Sequence, residues 1–201
     1  APRTPSEATQ YAEATLLKAH SLNPLNKDHF ANMARLYIFW YTRIENKPEV
    51  LQKALQWFRD GVAIAPKDVS ILNEYIESLL TYANSIKTND PALAQKTIAE
   101  ADQLLQKSLL LDDKYNDTTL RQANVLRAKG EYPKAVAIYT QLIIKNPRIL
   151  DAQITAIIRE LATQPDLLAQ LRDAYNTNLK ASDALSISII GLISSQLNDH
   201  D

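Results

Sequence analysis

Four stretches of this chain repeat one sparse pattern: a small residue, a bulky one four positions later, a small or aliphatic one three beyond that, and a helix stop after five more. The copies are Ala12, Leu16, Ala19 and Pro24; Ala54, Phe58, Gly61 and Pro66; Ala101, Leu105, Ser108 and Asp113; and Ala135, Tyr139, Leu142 and Pro147. Steps of four and three place the first three residues of each copy on one face of an α-helix. Small residues on that face let a neighbouring helix come close, and the stop halts the helix soon after. The recurrence predicts a helical repeat array, whose units bury their apolar faces by stacking on one another and which commonly binds other proteins.

The rest of the pattern predicts about ten helices with short connections and no strand. They span about 6–22, 27–44, 48–65, 68–87, 91–111, 116–129 and 132–145, followed by Leu150–Ala162, Asp166–Leu179 and a last helix that Ser182-Asp183 opens and that ends near Leu197. Thr4-Pro5-Ser6-Glu7 and Asp90-Pro91 are helix-start signals, since proline suits the first turn and a short polar side chain caps it. The first helix carries the pattern of the second half of a repeat, so the chain starts within a unit.

The stretch Gly130-Glu131-Tyr132-Pro133-Lys134-Ala135, with Tyr139 and Asn146-Pro147 after it, resembles the second half of a tetratricopeptide repeat. Phe30, Met33, Ala34 and Tyr37 resemble that family's first-helix signature, while Ala123 and Leu126 fit it less closely. The resemblance implies an all-α fold, a right-handed superhelix of antiparallel helix pairs with a C-terminal capping helix. It implies one repeat domain over 1–201, with units at 25–66, 67–113 and 114–147 and a degraded unit plus cap at 148–201. Successive stops lie 42, 47 and 34 residues apart, and only the last interval equals the family period. The surplus falls at 40–48 and 82–91, either as lengthened helix ends or as a ridge along one edge.

A second resemblance rests on Leu22-Asn23-Pro24-Leu25-Asn26-Lys27-Asp28-His29-Phe30, on Leu72-Asn73-Glu74 and on Lys107-Ser108-Leu109-Leu110-Leu111-Asp112. These runs are similar to the C-terminal repeat region of bacterial O-antigen ligase-like membrane proteins. That family carries a polytopic membrane domain, with its glycosyl-transfer chemistry, ahead of the repeats. The resemblance implies a non-catalytic scaffold for protein or peptide partners, held at a bacterial membrane by sequence outside this chain. A freestanding repeat adaptor, or a small-ligand or enzymatic groove, is the alternative.

Composition restricts the remaining classes. The 201 residues are 46% hydrophobic with three Gly and no Cys, enough for a sizeable core and poor in the turns of a β fold. Without Cys there is neither a disulfide framework nor a thiolate metal site. A net charge of −1 without basic runs argues against nucleic acid or anionic lipid as a partner. The apolar stretch Ala184–Leu197 is too short and too rich in Ser to span a bilayer.

No catalytic residue, metal site or cofactor is expected. Asp28 beside His29 lacks a nucleophile or a ligand partner, since no helical spacing brings His20 or His200 to it; the pair reads as helix-start chemistry. Glu74 and Glu77 share a helix face but read as polar surface. By analogy with tetratricopeptide geometry, Asp28, Arg35, Phe39, Asn73, Glu77, Asn124 and Arg127 point into a concave partner-binding face, where an aromatic anchor and polar donors suit a peptide. The carboxylate clamp of tetratricopeptide co-chaperones is missing: Leu120 precedes Asn124, Glu74 replaces an amide and Asp117 replaces a lysine.

Overall fold

The computed structural model describes residues 4–177 and 183–198. Among them are ten α-helices: α1 (Pro5–Leu22), α2 (Lys27–Arg43), α3 (Pro48–Ile64), α4 (Val69–Ile86), α5 (Pro91–Leu111), α6 (Asn116–Ala128), α7 (Tyr132–Lys145), α8 (Ile154–Glu160), α9 (Pro165–Thr177) and α10 (Ala184–Asn198). The described residues contain no strand. The all-α class and the boundaries of the first seven helices match the sequence expectation. The expected end of α9 at Leu179, and Ser182, lie outside the described residues.

Local chemistry accounts for the helix starts. Proline opens α1, α3, α5 and α7, where its missing N–H costs nothing. Thr4 and Glu7 form a reciprocal capping box on α1. Asn26, Asp68 and Asp90 accept from first-turn N–H groups of α2, α4 and α5. Asn26 therefore caps α2, and Asp28 is one of the residues whose N–H it binds, at 3.0 Å. One expected helix is shorter. Between Pro147 and Leu150 the chain forms a 3-10 turn, with Asn146 accepting from the Arg148 N–H, and helix resumes only at Ile154. The surplus residues of the longer units extend helices: α4 and α5 run 18 and 21 residues, against 13 and 14 in α6 and α7.

The helices form two compact units, Ala1–Arg121 and Gln122–Asp201, divided within α6. In the first, α1 packs on α2, α2 on α3, α3 on α4 and α4 on α5. The repeated positions form its core, with Ala54, Phe58, Gly61, Ala101, Leu105 and Ser108 all buried. Gly61 shows why the third position is small. A Cβ there would lie 2.6 Å from Ile71 Cδ1 on α4 and 2.9 Å from Phe30 Cβ on α2, so α3, one of the second-type helices α1, α3, α5 and α7 that carry the repeated pattern, is pressed between the first-type helices α2 and α4, of which α6 is the third. In α1 the equivalent Ala12, Leu16 and Ala19 are only half-buried.

Ser108 fills the same place in α5 with a polar group, and the structure satisfies it. Its hydroxyl donates to Asn73 Oδ1 of α4 at 2.8 Å and lies 3.2 Å from Thr118 Oγ1 of α6, while Asn73 Nδ2 donates to Thr118 at 2.9 Å. All three side chains are fully buried. Tyrosine hydroxyls tie further neighbours: Tyr37 of α2 donates to Glu13 of α1, and Tyr75 of α4 to Glu100 of α5 at 2.7 Å. Burial first, and then these carboxylates, raise both phenol pKa values, so each stays a protonated donor.

The second unit packs α7 on α9 and α9 on α10 around Tyr139, Ile157, Leu168, Leu171, Tyr175 and Ile193. Ala135, the small residue of the fourth copy, is buried there, and Tyr139 donates to Asn124 Oδ1 of α6 at 2.7 Å.

Replacing Gly61 by Val should lower the unfolding free energy by about 1–3 kcal/mol, because the Ile71 Cδ1 tip can turn aside but the Phe30 Cβ, bonded to the backbone, cannot retreat without repacking. Chemical denaturation with helicity followed by circular dichroism checks this; an unchanged midpoint would refute the close approach. A second expectation concerns pH. Lys27 of α2 pairs with Asp68, the cap of α4, and that hydrogen bond leads the causes depressing the Asp68 pKa. A depressed carboxylate stabilises fully above its unfolded value, about 3.9, and loses that contribution as pH falls through the folded one. Asp68→Asn should therefore lower the melting midpoint at neutral pH and flatten the acid limb of a stability–pH profile.

Candidate functional site

The seven residues expected on a partner-binding face separate into three groups. Asp28, Arg35 and Phe39 are exposed along α2, and at steps of seven and four they share one row with Asn32, also exposed. Arg35 is held outward by its neighbours: Nε and Nη2 donate to the two Glu74 oxygens at 2.7 and 2.6 Å, and Nη1 to Asn32 Oδ1 at 2.9 Å. The hydrogen bonds to Glu74 raise the guanidinium pKa further. Phe39 leaves 47% of its surface open, and the row presents an aromatic ring one turn from a fixed cation.

Glu77 and Arg127 are half-buried and engaged. Glu77 accepts from Arg121 of α6, which also bonds Asp117 at 2.7 Å. Burial opposes the charge of Arg121, yet the two carboxylates outweigh it and raise its pKa. In the second unit Arg127 faces Glu160 at 3.5 Å.

Asn73 and Asn124 correct the expectation. Both are buried, Asn73 against Ser108 and Thr118 and Asn124 against Tyr139, so neither side chain is offered to a partner. The reason is helical phase: Asn73 follows the buried Leu72, and its amide completes a polar contact that Ser108 would otherwise leave open. The sequence carried the signal, a Ser at a position that is Ala, Gly or Leu in the other copies, whose hydroxyl needs a buried partner.

The pair Glu74 and Glu77 is likewise explained. Each carboxylate has its own arginine, Arg35 or Arg121, on an adjacent first-type helix. The two carboxylates therefore stand as separate ion pairs. Arg121 had been overlooked, although its place four residues after Asp117 marks a helical ion pair.

The turn after α1 brings together what helical spacing could not. The His20 and His29 rings lie 6.4 Å apart edge to face, with His20 also against Phe30 at 4.7 Å and Trp57 at 5.3 Å. His29 Nδ1 lies 3.2 Å from the Asn23 carbonyl. Among the described residues no three His, Asp or Glu side chains are grouped to hold a metal ion, and no helix is long and apolar enough to cross a membrane. His200 lies outside the described residues.

No protein-family model matches this sequence, and no curated protein does.

Asn73→Ala should destabilise the protein by about 1–2 kcal/mol, since Ser108 and Thr118 each lose the amide and keep only their contact with one another. Asn32→Ala, at an exposed site, should stay within about 0.5 kcal/mol. Comparing the two denaturation midpoints tests the assignment of Asn73 to the core.

Proposed function

We propose that the chain is a non-catalytic interaction module of tetratricopeptide-like helix pairs that holds a protein or peptide partner along α2. The parent reading is a bacterial membrane protein of the O-antigen ligase-like kind, anchored by sequence outside this chain. Three features support the repeat reading: the fourfold pattern, the burial of its positions in α3 and α5, and the regular opening of second-type helices by proline. The run from Leu22 to Phe30 supports the parent family.

The observation that carries the binding role is the exposed row Asp28, Asn32, Arg35 and Phe39. The Arg35 guanidinium stays extended because Glu74 and Asn32 fix it, so a partner carboxylate or carbonyl meets a donor already in place, at little cost in side-chain entropy. Phe39 supplies the apolar anchor that concentrates binding energy. Neutralised carboxylates at Glu74 and Glu77 support recognition over proton transfer.

Replacing Asp28, Arg35 and Phe39 together by Ala should weaken partner binding at least about tenfold. Melting should fall only slightly, because the Arg35–Glu74 pair is exposed and worth no more than about 1 kcal/mol. The readout is affinity for a partner isolated on the immobilised chain and identified by mass spectrometry. Equal affinity of the triple variant would remove the site from α2. Full-length protein that stays in the soluble fraction of lysed cells would remove the membrane attachment and leave the binding role standing.

A further inference from the structure

Helices α3 and α5 end on the same side of the first unit. Each reverses into the next helix through a short turn, 65–68 and 112–115, and the last turn of each rests on the first two turns of α4, Gly61 against Ile71 and Ser108 against Asn73. This side carries exposed apolar side chains from the middle of the chain: Ile64 at 41%, Leu110 at 89%, Leu111 at 39% and Tyr115 at 44%. The turns on the opposite side, 44–47 and 87–90, contribute no exposed large apolar side chain. Apolar surface gathered on one side of a unit, and kept from the other, marks a contact surface.

Charge divides that surface in two. Beside Ile64 stands Lys67, exposed and in no ion pair among the described residues, while its neighbour Asp68 is taken by Lys27. Beside Leu110 and Leu111 stand Asp112 and Asp113, which outnumber the single Lys114 that follows them. Asp112 accepts from the Lys114 N–H with one oxygen, at 3.1 Å, and Asp113 is exposed and in no ion pair among the described residues.

We propose that two copies of the chain associate through this side, about a twofold axis that seats the end of α3 of each copy on the end of α5 of the other. The division of charge selects the occupant. One half is apolar and basic, the other apolar and acidic, so the surface is its own complement. The twofold brings Ile64 onto Leu110 and Lys67 beside Asp113, and repeats both contacts in reverse, as an isologous interface requires. Seating like end on like end would instead set Lys67 against Lys67. Two turns and two helix ends make a small interface, so the dimer is weak and forms only as concentration rises. It uses none of the exposed row on α2, and its failure leaves the binding role untouched.

The test is sedimentation equilibrium on the whole 201-residue chain, from low micromolar to submillimolar concentration. The average mass should rise from that of a monomer toward that of a dimer. Leu110→Glu, at a site too exposed to disturb the fold, should raise the dissociation constant at least about tenfold with helicity unchanged. Lys67→Glu should weaken the dimer in the same way, and Asp113→Lys added to that chain should restore it, a rescue that a contact elsewhere on the molecule would not show. Phe39→Ala should leave the mass profile as it is. A monomer at every concentration overturns the proposal, as does a dimer that Leu110→Glu leaves intact or a charge-swapped chain that fails to recover.

Discussion

The approach of α3 to the helices on either side of it, through the missing side chain of Gly61, sets the spacing of the first unit. With Phe30 and Ile71 both inside the space a methyl group would occupy, α2, α3 and α4 are fixed relative to one another by one small residue. Phe58 and Ala54, one and two turns earlier, are buried because that crossing is tight. At Ser108 the same crossing accommodates a hydroxyl, and the neighbouring first-type helices answer with Asn73 and Thr118. In the first unit this position is therefore small, and its one polar occupant is fully paired.

Ion pairs along the first-type helices follow from that spacing. Lys27 and Arg35 of α2 reach Asp68 and Glu74, and Arg121 of α6 reaches Glu77. These pairs tie carboxylates of α4 and its cap to the helices on either side, so the packing of the first unit also sets its ion pairs.

Helix positions were legible because proline, capping residues and the recurrence of small and bulky residues are local signals, and α1 to α7 began and ended within a residue or two of them. The weaker region after Pro147 was less legible: a 3-10 turn and a short α8 replaced the single expected helix, since neither periodicity nor composition distinguishes a tight turn from a continuing one. The candidate face was half legible. Asp28, Arg35 and Phe39 are exposed in one row, which follows from helical phase alone. Asn73 and Asn124 were misplaced because a buried amide becomes visible only when its partners, Ser108 or Tyr139, are known to stand opposite. The His20–His29 contact depends on a turn, which spacing within a helix cannot report.

The triad of Asn73, Ser108 and Thr118 also bears on how the first unit comes apart. Stacked helices with only nearest-neighbour contacts open from their ends, one helix at a time. Three side chains from α4, α5 and α6 bond one another in a closed set, so the loss of any one of these helices takes a hydrogen bond from each of the other two and ties the three to one step of unfolding. Amide exchange in α4, α5 and α6 would then proceed through one shared opening rather than helix by helix.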